Sequence, residues 1–135
     1  MKVVLDTNVL VSGIFFGKGP GKIIELWLAG KFSVYATPAI LEEYLRIIEI
    51  LTKGNKELFQ HWSALLPGVC HLVDDAKDIF EIPFSRDPHD DKFLWCGLRV
   101  KADYLISGDK DLRVLGHVFP FQIFSPNEFL SALAK

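Results

Sequence analysis

The chain has 135 residues, half of them hydrophobic and 24 % charged, with a formal net charge of −2. That size supports one domain, read here as 1–135, able to bury roughly two-thirds of its unfolded surface. The composition excludes a disordered protein, and the near-neutral charge excludes whole-molecule attraction to a polyanion, so a nucleic acid would have to be met by a local basic patch or bound cations.

In chain order, Lys2 to Asp6 reads as a buried strand ending in a carboxylate. Gly19-Pro20-Gly21 precedes a helix carrying Ile23, Ile24, Trp27 and Leu28 on one face, and Gly30 stops it. Phe32 to Ala36 is the second strand. Thr37 is a good N-cap with Pro38 at the first helical position, opening a helix to about Leu51. Another helix covers Asn55 to Leu66 until Pro67-Gly68 ends it, and a short strand spans Val69 to Val73. Asp87-Pro88 repeats the cap-plus-proline device for a helix from Pro88 to about Lys101. Strands Asp103 to Ser107 and Phe121 to Phe124 follow, and Ser125-Pro126-Asn127-Glu128 is a capping box for the last helix.

Strands alternating with helices predict an α/β/α sandwich with a parallel sheet of four or five strands. Cys70 and Cys96 lack CxxC spacing and sit near Val69, Trp95 and Leu98, so both are expected to be buried free thiols of a reducing cytoplasm. The amino terminus does not fit a signal peptide, and no apolar run approaches the roughly 20 residues that span a bilayer.

On this scaffold the acids gather. In a parallel sheet the carboxyl ends of all strands share one edge, where ligands bind. Asp6 ends the first strand, and Asp109 lies just past Asp103 to Ser107. Glu43 has Ala39, Ile40 and Ile47 at helical spacing and faces apolar neighbours, whereas Glu42 has Arg46 at i+4 and reads as a solvated ion pair. Asp87 and Asp90 serve the helix start as cap and first-turn acid, leaving Asp91, whose i+3 and i+4 neighbours Leu94 and Trp95 start a buried stripe. Each acid also has a plain structural reading: Asp6 caps the loop beside Thr7 and Asn8, Asp109 caps a short Lys110 to Val114 turn, and Asp111 is a solvated turn residue.

Carboxylates about 4 Å apart repel by about 4 kcal/mol per pair at an effective dielectric near 20, so a cluster must protonate or bind a cation. All-oxygen ligation suits Mg²⁺ or Mn²⁺. His61, His71, His89 and His117 are too scattered for a zinc set, with only His89 beside the acids. A phosphatase with an aspartyl nucleophile would want a second acid where Asn8 stands, a receiver domain would want an acid pair at the first strand and a Lys after the last, and no P-loop is present.

The segments VVLDTNVL, Thr37 to Tyr44, Asp87 to Leu94 and Ala102 to Leu112, in that order and spacing, resemble a PIN domain. More narrowly they are similar to the branch described as toxin components of toxin–antitoxin systems. The resemblance implies a Mg²⁺- or Mn²⁺-dependent ribonuclease, related in fold to flap-type 5′ nucleases, with its acidic quartet on Asp6, Glu43, Asp91 and Asp109 and Asp111 as a fifth acid. It implies supporting roles for Thr7, Asn8 and Ser107, with Ser107-Gly108 standing where many relatives carry Thr-Arg. Arg86, Lys92, Lys110 and Arg113 flank the acids as candidate RNA contacts. The resemblance also implies a homodimer and an antitoxin partner. A PIN-fold module that binds RNA or protein without cutting is the alternative.

Overall fold

A computed structural model describes residues 1–74 and 91–134, the His117 side chain excepted. Asp87, Pro88, His89, Asp90 and Arg86, invoked above, lie outside the described residues. Five parallel strands, β1 (Lys2–Leu5), β2 (Ser33–Ala36), β3 (Cys70–Leu72), β4 (Tyr104–Ile106) and β5 (Gln122–Phe124), form one sheet in the order β3-β2-β1-β4-β5. Val3, Val4 and Leu5 are fully buried, as a central strand covered on both faces requires. The architecture is the expected α/β/α sandwich.

The helices are α1 (Thr7–Phe15), α2 (Lys18–Leu28), α3 (Pro38–Leu51), α4 (Lys56–Val69), α5 (Asp91–Val100), the single turn α6 (Lys110–Arg113) and α7 (Pro126–Leu133). Local chemistry sets most of their ends. Thr37 caps α3 by accepting from the Ile40 N–H, Asn55 caps α4, and Ser125 with Glu128 closes the capping box of α7. Gly30 adopts φ 81° after α2, while the Lys31 N–H returns to the Leu26 carbonyl, a Schellman closure that needs the left-handed residue.

Three expectations change. The strand-to-loop reading after Asp6 misses α1: Asp6 is its N-cap, and the β-branched Val9 and Val11 that weaken its helical signal are paid back by burial. Helix α2 starts at Lys18, so Gly19-Pro20-Gly21 lies within its first turn, where the missing proline N–H is one that has no intrahelical partner anyway. Helix α4 runs through Pro67 to Val69; the proline falls in the last turn, where it forfeits one bond and leaves the rest of the helix intact.

Both cysteines are buried free thiols, and burial pushes the Cys70 thiol up to about 12. Helix α1 crosses α2 closely at Gly13, where a Cβ would stand 2.6 Å from the Pro20 carbonyl oxygen and 2.6 Å from Ile24 Cγ1. Because one of those neighbours is backbone, Gly13→Ala is expected to destabilise the fold by about 1–3 kcal/mol despite its better helix propensity, read from urea unfolding. Unchanged or increased stability would show that the two helices can part cheaply.

Candidate active site

The site grows from the pairing of β1 with β4. Their register sets Leu5 opposite Ile106, and the Asp6 N–H donates to the Ile106 carbonyl at 3.0 Å, so the residues leaving both strands stand abreast. The Ser107 hydroxyl donates to Asp6 Oδ2 at 2.7 Å, and the Asn8 N–H donates to Oδ1 at 3.3 Å. Ser107 also accepts from the Asp109 N–H at 3.0 Å, which ties the two acids through one buried hydroxyl. Asp109 Oδ1 in turn accepts from the Asp111 N–H at 2.8 Å and caps α6.

Asp6 is only 5 % exposed. Burial raises its carboxyl above the ordinary value, the bonds from Ser107 and Asn8 pull it back, and the negative charges of Asp109 and Glu43 raise it again. Three acids from β1, β4 and α3 therefore share one electrostatic environment, as the adjacency of their strands demands.

Glu43 enters from the second turn of α3. Its Oε2 accepts from the Thr7 hydroxyl, and Lys92 Nζ stands 2.6 Å from its Oε1. Glu42, one residue earlier, is exposed. The doublet thus separates in space, Glu43 turning toward Thr7 and Glu42 toward solvent. The ion pair expected between Glu42 and Arg46 is not found among the described residues; Arg46 approaches Glu43 instead, at 3.9 Å, because i+3 on this helix brings it nearer.

Helix α5 runs back from the carboxyl edge toward the start of β4 and packs on β1, so its first residues lie at the same edge as Asp6. Asp91, its first described residue, is 1 % exposed, and Lys92 follows it onto Glu43. Tyr44, fully buried beside Glu43, donates its hydroxyl to the Leu5 carbonyl and pins α3 to the strand that delivers Asp6. The sequence signal for Tyr44 was only its place in the Ile40-Tyr44-Ile48 stripe, which reads as core.

The remaining candidates lie farther out. Asp111 and Lys110 are exposed on α6, while Arg113 bonds Glu128 at 3.1 Å and so is turned to the cap of α7. His61 is exposed against Trp62, and His71 is exposed and stacked on Tyr35.

The PIN domain family profile matches residues 2–111. The chain belongs to the PIN domain family. An uncharacterised protein of Methanocaldococcus jannaschii is 33 % identical over 117 residues, covering 83 % of this chain and 73 % of that protein. The crystal structure of VapBC2 from Rickettsia felis bound to a DNA fragment from their promoter is similar in fold, with a TM-score of 0.63 at 16 % identity over 93 % of this chain and 98 % of the other.

Whether this PIN domain suits a divalent ion is a question for its donors. Among the described residues the edge offers carboxylate and hydroxyl oxygens, and the Asp6 carboxyl, raised chiefly by burial and further by the charges of Asp109 and Glu43, is one whose ionised form a cation would favour. Among the described residues no three acidic, His or Cys side chains converge closely enough to clasp one ion directly. Mg²⁺, which keeps several waters and takes one or two carboxylates, does not require such a three-way cluster. No helix among the described residues is long and apolar enough to cross a membrane.

Proposed function

We propose that this PIN domain is a Mg²⁺- or Mn²⁺-dependent endoribonuclease acting on single-stranded or structured RNA, the toxin of a toxin–antitoxin pair in the cytoplasm. The observation that carries the reading is the buried Asp6, linked through Ser107 to the Asp109 backbone, its carboxyl raised chiefly by burial and further by the charges of Asp109 and Glu43. Buried carboxylate charge held in place by hydrogen bonds is costly to keep unless a cation shares it. The likeness to a toxin–antitoxin complex supports the pairing with a small antitoxin, and a homodimer belongs to the same reading.

Asp6 and Asp91 would hold the ion, with Glu43 and Asp109 reaching it through water and Asp111 at the periphery. A divalent ion at such a site supplies Lewis-acid activation of water and neutralises the scissile phosphate. The protein's part is orientation. Ser107 and the Asn8 N–H fix the plane of the Asp6 carboxylate, Thr7 fixes Glu43, and Tyr44 holds β1 against α3. An acidic edge approaches RNA only once its field is reversed, after which the exposed Lys110 would meet phosphates, joined by Lys92 and Arg113 on leaving Glu43 and Glu128; Arg86, outside the described residues, is a further candidate.

The test is incubation of the purified chain with a panel of single-stranded and hairpin RNAs. Cleavage with Mg²⁺ or Mn²⁺ that stops with chelator is expected, and no cleavage of any RNA with either ion would overturn the assignment in favour of a binding module.

A further inference from the structure

Lys92 and Glu43 form an ion pair unlike the other three among the described residues. Its side chains are 18 % and 16 % exposed, whereas Lys22 with Glu25, Arg46 with Glu43 and Arg113 with Glu128 each include a group exposed by 36 % or more. The Nζ to Oε1 separation of 2.6 Å puts the two charges in direct contact, with no room for water between them. Exposed pairs contribute little and exchange readily with water, while a shielded pair is hard to open without a replacement charge.

The pair also leaves neither oxygen of Glu43 free of a neighbour: Lys92 Nζ stands against Oε1, and Oε2 accepts from the Thr7 hydroxyl. Lys92 is the residue after Asp91 in the first turn of α5, so its ammonium is delivered into the acids by the same helix that delivers one of them. An ammonium and a divalent cation brought to one carboxylate repel each other and compete for its lone pairs.

We propose that Lys92 is the internal counter-cation of the acid cluster, which must withdraw from Glu43 before that carboxylate can join a divalent ion and so sets the metal affinity of the site. The inference rests on the metal-site reading above but adds a regulator to it. Because binding linkage is reciprocal, the factor by which Lys92 weakens metal binding is the factor by which metal loosens the Lys92 to Glu43 pair.

Calorimetric titration of the full chain with MnCl₂ provides one readout, and the rate at which an amine-reactive ester acylates Lys92, followed by peptide mass spectrometry, provides another. Lys92→Met is expected to tighten Mn²⁺ binding at least about fivefold, the lower end of ordinary site-to-site coupling. Arg46→Met, which removes a mainly exposed cation from the same oxygen, is expected to change it by less than that. Acylation of Lys92 in the parent protein should rise with saturating Mn²⁺. Lys92→Gln substitutes if the methionine variant fails to fold, and the acylation measurement decides if neither folds.

Mn²⁺ binding to the parent with no change in Lys92 acylation and no tightening in the variant would overturn the role of Lys92 and leave the metal site standing. Equal tightening in Lys92→Met and Arg46→Met would also overturn it, since loss of any nearby cation would then suffice. Mn²⁺ binding to neither parent nor variants would remove the metal site and this inference together.

Discussion

Asp91→Asn is expected to lower metal-dependent RNA cleavage by about two to three orders of magnitude, because losing the ligand proposed for this position would remove several kcal/mol of transition-state stabilisation. The substitution is nearly isosteric, which matters at a side chain only 1 % exposed. Its structural cost should be modest beside that loss: the dipole of α5 accounts for about 0.3–1 kcal/mol and a changed buried hydrogen bond for about 1 kcal/mol more. A parent-like circular dichroism spectrum, with urea unfolding shifted by no more than about 2 kcal/mol, would therefore accompany the loss of cleavage. Glu43→Gln should fall with it, whereas Glu42→Gln, on an exposed side chain, should cleave like the parent. Parent-like cleavage by Asp91→Asn would show that the acids serve the fold alone.

The parts of this molecule legible in its sequence are those with local chemical signatures. Thr37-Pro38 and the Ser125 to Glu128 box fix helix starts through one or two hydrogen bonds between residues three apart, and the structure keeps both. The adjacency of Asp6 and Asp109 was foreseeable from topology, since parallel strands that follow a switch of direction place their ends together. Helix α1 was not legible, because Val9, Leu10 and Val11 are three consecutive buried residues and so give no helical contrast. The partner of Lys92 was equally hidden. Its neighbour in sequence, Asp91, suggests a basic flank for phosphate, and only the packing of α5 beside α3 brings the ammonium to Glu43.

The stability of Asp6→Asn relative to the parent should move in opposite senses with rising pH and with added metal. In the folded parent the Asp6 carboxyl lies above its ordinary value of 3.8, chiefly through burial, with Asp109 and Glu43 adding to the rise against the bonds from Ser107 and Asn8. A folded value above the unfolded one means that the native state binds more protons across the window between them. Parent stability contributed by Asp6 is then fully present below about pH 4 and is lost as pH rises through the folded value. Asparagine has no such titration, so in chelator the stability of the variant relative to the parent should increase from pH 4 toward neutrality. Replacing one accepting oxygen by an amide costs about 1 kcal/mol at every pH, which shifts the curve without changing its slope. Added Mn²⁺ reverses the comparison. At 100 times its dissociation constant the ion would stabilise the parent by about 2.7 kcal/mol and the variant by far less, so the ranking at neutral pH should turn in favour of the parent. Urea unfolding at several pH values, with chelator and with Mn²⁺, reads both effects; parallel pH curves for the two proteins would show that Asp6 carries no buried charge.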